Sequence, residues 1–193
     1  MGSMFKGCKS LKSINLDNFN TNNVTHMGSM FYFCSSLKSI DLSNFKTNNV
    51  TYMHWMFIDC SSLISLDLSS FNTDIVEMDQ MFSCCESLKS INLSSFNTNK
   101  VTDMTYMFQC CYSLTSLDLS NFNTNNVSLM SGMFRYCSSL TSLNLSNFIT
   151  YKVYLMDEIF EGFSLIISLN LSNFNANNVT NMSETFKNSS SLE

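Results

Sequence analysis

Residues 37 to 62 read Leu37-Lys-Ser-Ile40-Asp41-Leu42-Ser-Asn-Phe45-Lys-Thr47-Asn-Asn-Val50-Thr-Tyr52-Met53-His54-Trp55-Met56-Phe57-Ile-Asp-Cys60-Ser-Ser62, and the same phrase returns along the whole chain. The anchor positions are Leu11, Leu37, Leu63, Leu88, Leu114, Leu140, Ile166 and Leu192, so the period is 26 residues, shortened once to 25. The short copy is the third, where Val76-Glu-Met78 stands for the usual Val-Thr-x-Met and one residue is missing just before the Met pair. Rare residues keep the register. All 14 Met fall at two repeat positions, three residues apart, and 15 of the 17 Phe fall at two others. A period in this range is the signature of a solenoid, whose units bury their apolar faces only against one another.

Within a unit the periodicity switches once. Ile40 and Leu42 alternate with Asp41, the pattern of a short strand with one inward face. Val50, Met53, Met56, Phe57 and Cys60 fall at i, i+3, i+6, i+7 and i+10, which predicts about three helical turns with one buried stripe. Thr47-Asn-Asn ahead of them suits a helix cap. The expected fold is therefore an α/β solenoid of about seven coils, each a short parallel strand plus a short helix. Strands stacked in this way stand about 4.8 Å apart. One domain covers residues 1–193: a partial coil 1–10, then full coils from 11, 37, 63, 88, 114, 140 and 166.

The phrases Leu-x-x-Leu-x-Leu-x-x-Phe and Phe-x-x-Cys-x-x-Leu resemble the BspA-type, or treponemal, leucine-rich repeat. The longer phrase from Leu117 to Val127 and on through Met130 to Phe134 is similar to the repeat of mycoplasma-type surface lipoproteins. The resemblance spans essentially the whole chain. It implies a leucine-rich-repeat solenoid at a cell surface or outside the cell, mediating adhesion or protein binding without enzymatic activity. It carries no shared active site.

Composition excludes several partners. Charged residues are 13% of the chain, the formal net charge is −5, and the 10 Lys and Arg are scattered singly, so no basic patch faces a phosphate backbone. Nucleic acid is not an expected partner. No run approaches the 18 or so apolar residues of a membrane span. Met1-Gly-Ser-Met4-Phe5-Lys-Gly-Cys8 shows no export signal.

Chemistry-bearing residues are spread along ladders rather than gathered. Cys8, Cys34, Cys60, Cys85, Cys111 and Cys137 precede the anchors by three residues, and Cys84 and Cys110 stand beside two of them. They read as buried free thiols. A metal or disulfide reading would rest on Cys84, Cys85, Cys110 and Cys111, but no Cys-x-x-Cys spacing supports zinc. His26 and His54 sit at different repeat positions with no recurring nucleophile or acid, so no catalytic residue, metal site or cofactor is expected. Asn23-Val-Thr, Asn49-Val-Thr and Asn178-Val-Thr match the glycosylation acceptor, yet their repeat position suggests an internal role.

Two faces and two ends remain as candidate binding surfaces. The expected strand face is uniform, with Ser39 and Asp41, Ser65 and Asp67, and Ser116 and Asp118 recurring rung after rung, which suits a repetitive ligand such as a glycan. The expected helix face varies from coil to coil, and Tyr52, His54, Trp55 and Tyr106 are its candidate protein contacts. At the ends, Met4 and Phe5, and Phe186 and Leu192, are core-type residues with no polar cap. Either the chain belongs to a longer array, or copies stack head to tail into a filament.

Overall fold

The computed structural model describes residues 1–71 and 75–193, which form one stack of coils around a continuous apolar core. Two parallel strands, β1 (Ser65–Asp67) and β2 (Ser90–Asn92), pair in register as Ser65↔Ser90, Leu66↔Ile91 and Asp67↔Asn92. Leu66 points into the core while Ser65 and Asp67 face out, the alternation that Ile40-Asp41-Leu42 also shows. Earlier coils join the same column through single bonds, from Lys38 N–H to the Lys12 carbonyl and from Ile64 N–H to that of Lys38. A second column of parallel bridges links His26, Tyr52, Glu77, Asp103, Leu129, Leu155 and Asn181 from coil to coil.

The expected helices are absent among the described residues, where a run of tight turns takes their place. The apolar spacing is kept, and Met27, Met30, Phe31 and Cys34 are fully buried. The hydrogen bonding differs. The N–H groups of Met27, Ser29, Phe31 and Phe33 donate forward to Tyr52, His54, Met56 and Ile58 of the next coil, whereas those of Met30, Tyr32 and Cys34 close local three-residue turns. Two residues per coil hold a left-handed backbone that prevents helix propagation, as at Ser29 (φ 57°) and Phe33 (φ 59°). The physical reason is spacing. An α-helix with side chains is about 10 Å across, so helices stack on a ladder of rungs about 4.8 Å apart only where the solenoid curves to splay them, whereas here a second column of parallel bridges keeps this side at rung spacing too. Turns that lend every second N–H to the next coil do stack.

Register also relocates the shortened copy. Ile75, fully buried, occupies the place of Val50 and Val101, and Val76 N–H reaches the Thr51 carbonyl. The missing residue therefore lies between Phe71 and Ile75, outside the described residues, rather than just before Met78.

Side-chain ladders hold the stack. Phe5, Phe31, Phe57, Phe82, Phe108, Phe134, Phe160 and Phe186 stack ring on ring, with neighbouring centroids 5.4–6.2 Å apart and planes within 19°. The buried threonines bridge coils rather than cap helices. Thr124 Oγ1 donates to the Ile149 carbonyl (2.9 Å) and accepts from the Ile149 N–H (2.8 Å). Thr21, Thr98 and Thr150 do the same with Lys46, Asn123 and Asn175. Each hydroxyl satisfies two backbone groups that burial would otherwise leave unpaired.

Candidate lateral binding face

Most of the left-handed residues, with Ser29 an exception that stays buried, turn their side chains out of the core, and together with their sequence neighbours they form the lateral face, where the coils differ most. On the first coils this face is aromatic. Tyr32 and Phe33 lie with ring centroids 4.5 Å apart, Trp55 is 6.4 Å from Tyr32, and His54 meets Trp55 edge-on at 5.5 Å. Lys6 sits 4.6 Å from the centre of the Tyr32 ring, and Lys9 sits 5.9 Å from that of Phe33. His26 stacks on Tyr52 at 4.7 Å. Trp55 is 37% exposed, enough to offer its ring to a partner, and its indole N–H donates to Asp79 Oδ2 at 2.7 Å. Burial raises the Asp79 carboxyl above its ordinary range. His54 Nδ1 approaches Glu77 Oε2 at 3.4 Å.

Of the four residues singled out from sequence, His54 and Trp55 come together here, and Tyr52 lies in the adjoining bridge column. Tyr106 belongs to a different cluster two coils on. Its ring covers Gly132 of the next coil, and its hydroxyl reaches Glu158 Oε2 at 3.4 Å. Beside it Arg135 pairs with Glu158 (3.2 Å) and with the fully buried Glu161 (2.5 Å), to which Tyr136 also donates (3.0 Å). These charges are mutually satisfied.

Tyr32, Phe33, Glu77 and Asp79 escaped the sequence reading. Their neighbours come from adjacent coils, some 25 residues away, and no local motif joins them. One signal was present: Gly7, Gly132 and Gly162, three of the 5 glycines, stand at left-handed positions and mark where side chains turn outward.

The strand-face residues are exposed, but their carboxylates are committed locally. Asp41, Asp67 and Asp118 accept the backbone N–H of Ser43, Ser69 and Ser120 at 2.9 Å, which lowers each below the usual carboxylate range. Ser39, Ser65 and Ser116 stand beside them on the surface. Asn49 and Asn178 of the acceptor-like triplets donate to carbonyls of the previous coil, at Asn22 and Tyr151. The thiols are structural too. Cys34, Cys60, Cys85, Cys111 and Cys137 donate to the Phe carbonyls of the previous coil at 3.1–3.3 Å, and the Ser189 hydroxyl does so in the last at 2.7 Å. All eight cysteines are free, and burial pushes the Cys34 thiol up to about 11. Met4 and Phe186 are 50% and 46% exposed, while Phe5 and Leu192 are half-buried.

The family model described as Mycoplasma protein of unknown function, DUF285, matches residues 1–115 and 76–193. No curated protein sequence matches significantly. Among solved structures, the chain is similar to a leucine-rich repeat protein from Bacteroides ovatus (18% identity, TM-score 0.51), covering 100% of this chain and 57% of that one. The leucine-rich repeat protein of T. pallidum aligns with 22% identity over 72% of this chain and 69% of that chain, at a TM-score of 0.45. A leucine-rich cell surface protein of Faecalibacterium prausnitzii aligns with 16% identity over 100% of this chain and 74% of its own, at 0.41. The Bacteroides likeness supports the repeat-solenoid fold, and with both halves matched by the family model this chain belongs to DUF285.

Proposed function

We propose that this chain is a non-enzymatic protein-binding scaffold displayed at a cell surface, and that it holds its partner on the lateral face around Trp55. The observation that carries this reading is the aromatic patch of Tyr32, Phe33, Tyr52 and Trp55, flanked by His26, His54, Lys6 and Lys9. Aromatic residues with a polar rim are enriched where binding energy concentrates, and truncating one such anchor costs about 2 kcal/mol or more. Surface display is carried over from the resemblance of the repeat to that of mycoplasma-type surface lipoproteins. No helix among the described residues is long and apolar enough to cross a membrane.

The test is comparative capture from host-cell surface extract on immobilised wild type and on Trp55→Ala and Tyr32→Ala chains. A protein retained by wild type and lost from both variants supports the reading. Identical retention by all three chains overturns it.

A second reading is end-to-end stacking, favoured by the outer rings of the Phe stack, Phe5 and Phe186, with Met4 and Leu192 beside them. Sedimentation velocity over a concentration series tests it. Assembly that grows with concentration and is abolished in Phe5→Asp or Phe186→Asp supports stacking, and a concentration-independent single species removes it.

A further inference from the structure

The inner edge of the lateral face carries three potential metal donors from two successive coils. A ring nitrogen of His54, a carboxylate oxygen of Glu77 and one of Asp79 lie within 4.8 Å of one another. Among the described residues His54 Nδ1 is shut off from solvent and has no hydrogen-bond partner, although Glu77 Oε2 stands 3.4 Å away. A buried imidazole nitrogen is normally paired, so this gap calls for an occupant. Asp103, whose backbone is bridged in register to Glu77 on the next coil, stands outside this group of three, with Oδ1 accepting the Thr105 N–H at 2.8 Å.

We propose that His54, Glu77 and Asp79 bind a divalent transition-metal cation of the zinc type. Imidazole nitrogen with two carboxylates is a donor set that zinc accepts, with a fourth position left to water or to a partner's side chain. Donors at about 2.0–2.2 Å from a tetrahedral cation stand about 3.4 Å apart, the separation His54 Nδ1 and Glu77 Oε2 already have. The Trp55 indole N–H holds Asp79 Oδ2 and leaves Oδ1 for the metal, the outer-layer hydrogen bond that ligating carboxylates require. The His54 side chain keeps 34% of its surface exposed, which gives a solvated ion a way in.

A second cluster shows what a filled site looks like by contrast. Glu158, Glu161 and Glu184 are equally close together, but Arg135 and Lys187 already pair with them. That cluster needs no ion.

Calorimetric titration of the full chain with zinc chloride, in a non-thiol reductant, tests the assignment. Wild type is expected to take up one equivalent that His54→Gln and Glu77→Gln each lose, a weakening on the order of 100-fold, while Trp55→Phe weakens it about 10-fold. Cobalt(II) in place of zinc is expected to give only weak visible bands at this site, because no thiolate takes part. Failure to bind zinc would leave only a His–Glu ion pair and overturn the proposal. So would uptake unchanged in both His54→Gln and Glu77→Gln, or a strong thiolate-to-cobalt band that persists when Cys110 is intact and His54 is not.

Discussion

At the scale of single residues, the repeat is held by small polar groups that reach one coil along. Thr124 is the clearest case, since its hydroxyl both donates to and accepts from Ile149. Thr124→Val keeps the shape and leaves a buried N–H and C=O unpaired, so it should cost about 1–3 kcal/mol in urea unfolding, while Thr124→Ser should recover most of that loss. The cysteines divide by the same logic. Cys60, Cys85, Cys111 and Cys137 are buried, and desolvation raises every one of them. Cys110 lies half-buried, and hydrogen bonding from the Cys84 thiol, with help from Tyr112 and Arg135, lowers it to about 7. Only the thiolate is nucleophilic. Alkylation of the native chain with iodoacetamide, read by mass spectrometry, should modify Cys110 with a rate that rises as pH passes through about 7. The four ladder thiols should stay unmodified until the chain is denatured.

Elements are where sequence and structure part company, and the left-handed positions explain why. A run such as Val50, Met53, Met56, Phe57 and Cys60 specifies which side chains face inward, but a helix and a chain of turns bury the same positions. Choice between them depends on the distance to the neighbouring coil, which no single unit encodes. The side chains at the left-handed sites gave little warning, because Trp55, Tyr106 and Tyr136 accept a strained backbone at positions that Gly132 and Gly162 fill in other coils. Gly132 shows how tight the arrangement is. A Cβ built on it would lie 2.1 Å from the Tyr106 ring, and its φ is +56°. Gly132→Ala should therefore destabilise the fold by more than about 1 kcal/mol. Adding Tyr106→Ala should restore only part of this, since the contact is relieved and the backbone strain is not. Full recovery in that double variant would show that the left-handed backbone costs nothing here.

Across the whole molecule, the period alone was enough to read a repeat solenoid and nearly all of its core. Phe, Met, Leu and Cys recur at fixed positions, and burial in a stack is the only way for a unit this small to cover them. Tyr52, His54 and Trp55 stand together in one copy of the repeat and were legible there, whereas Glu77 and Asp79, and the contacts of Tyr32 and Phe33 with Trp55, Lys6 and Lys9, were hidden, since they join coils that the sequence sets some 25 residues apart. The stack also sets how damage spreads. Phe108 is fully buried between Phe82 and Phe134, whereas Phe186 has a ring neighbour only on the Phe160 side within its own stack and is 46% exposed. In a quasi-one-dimensional array, stability is a sum of units and nearest-neighbour contacts. Phe108→Ala breaks two contacts and opens a cavity, so it should cost about 3–5 kcal/mol, while Phe186→Ala should cost well under half as much. Urea unfolding followed by fluorescence of Trp55 on one side and by hydrogen exchange on the other should then show the two halves of Phe108→Ala melting at different denaturant concentrations. A single coincident transition in that variant would mean that cooperativity runs through the backbone and threonine ladders, with the ring stack contributing little to it.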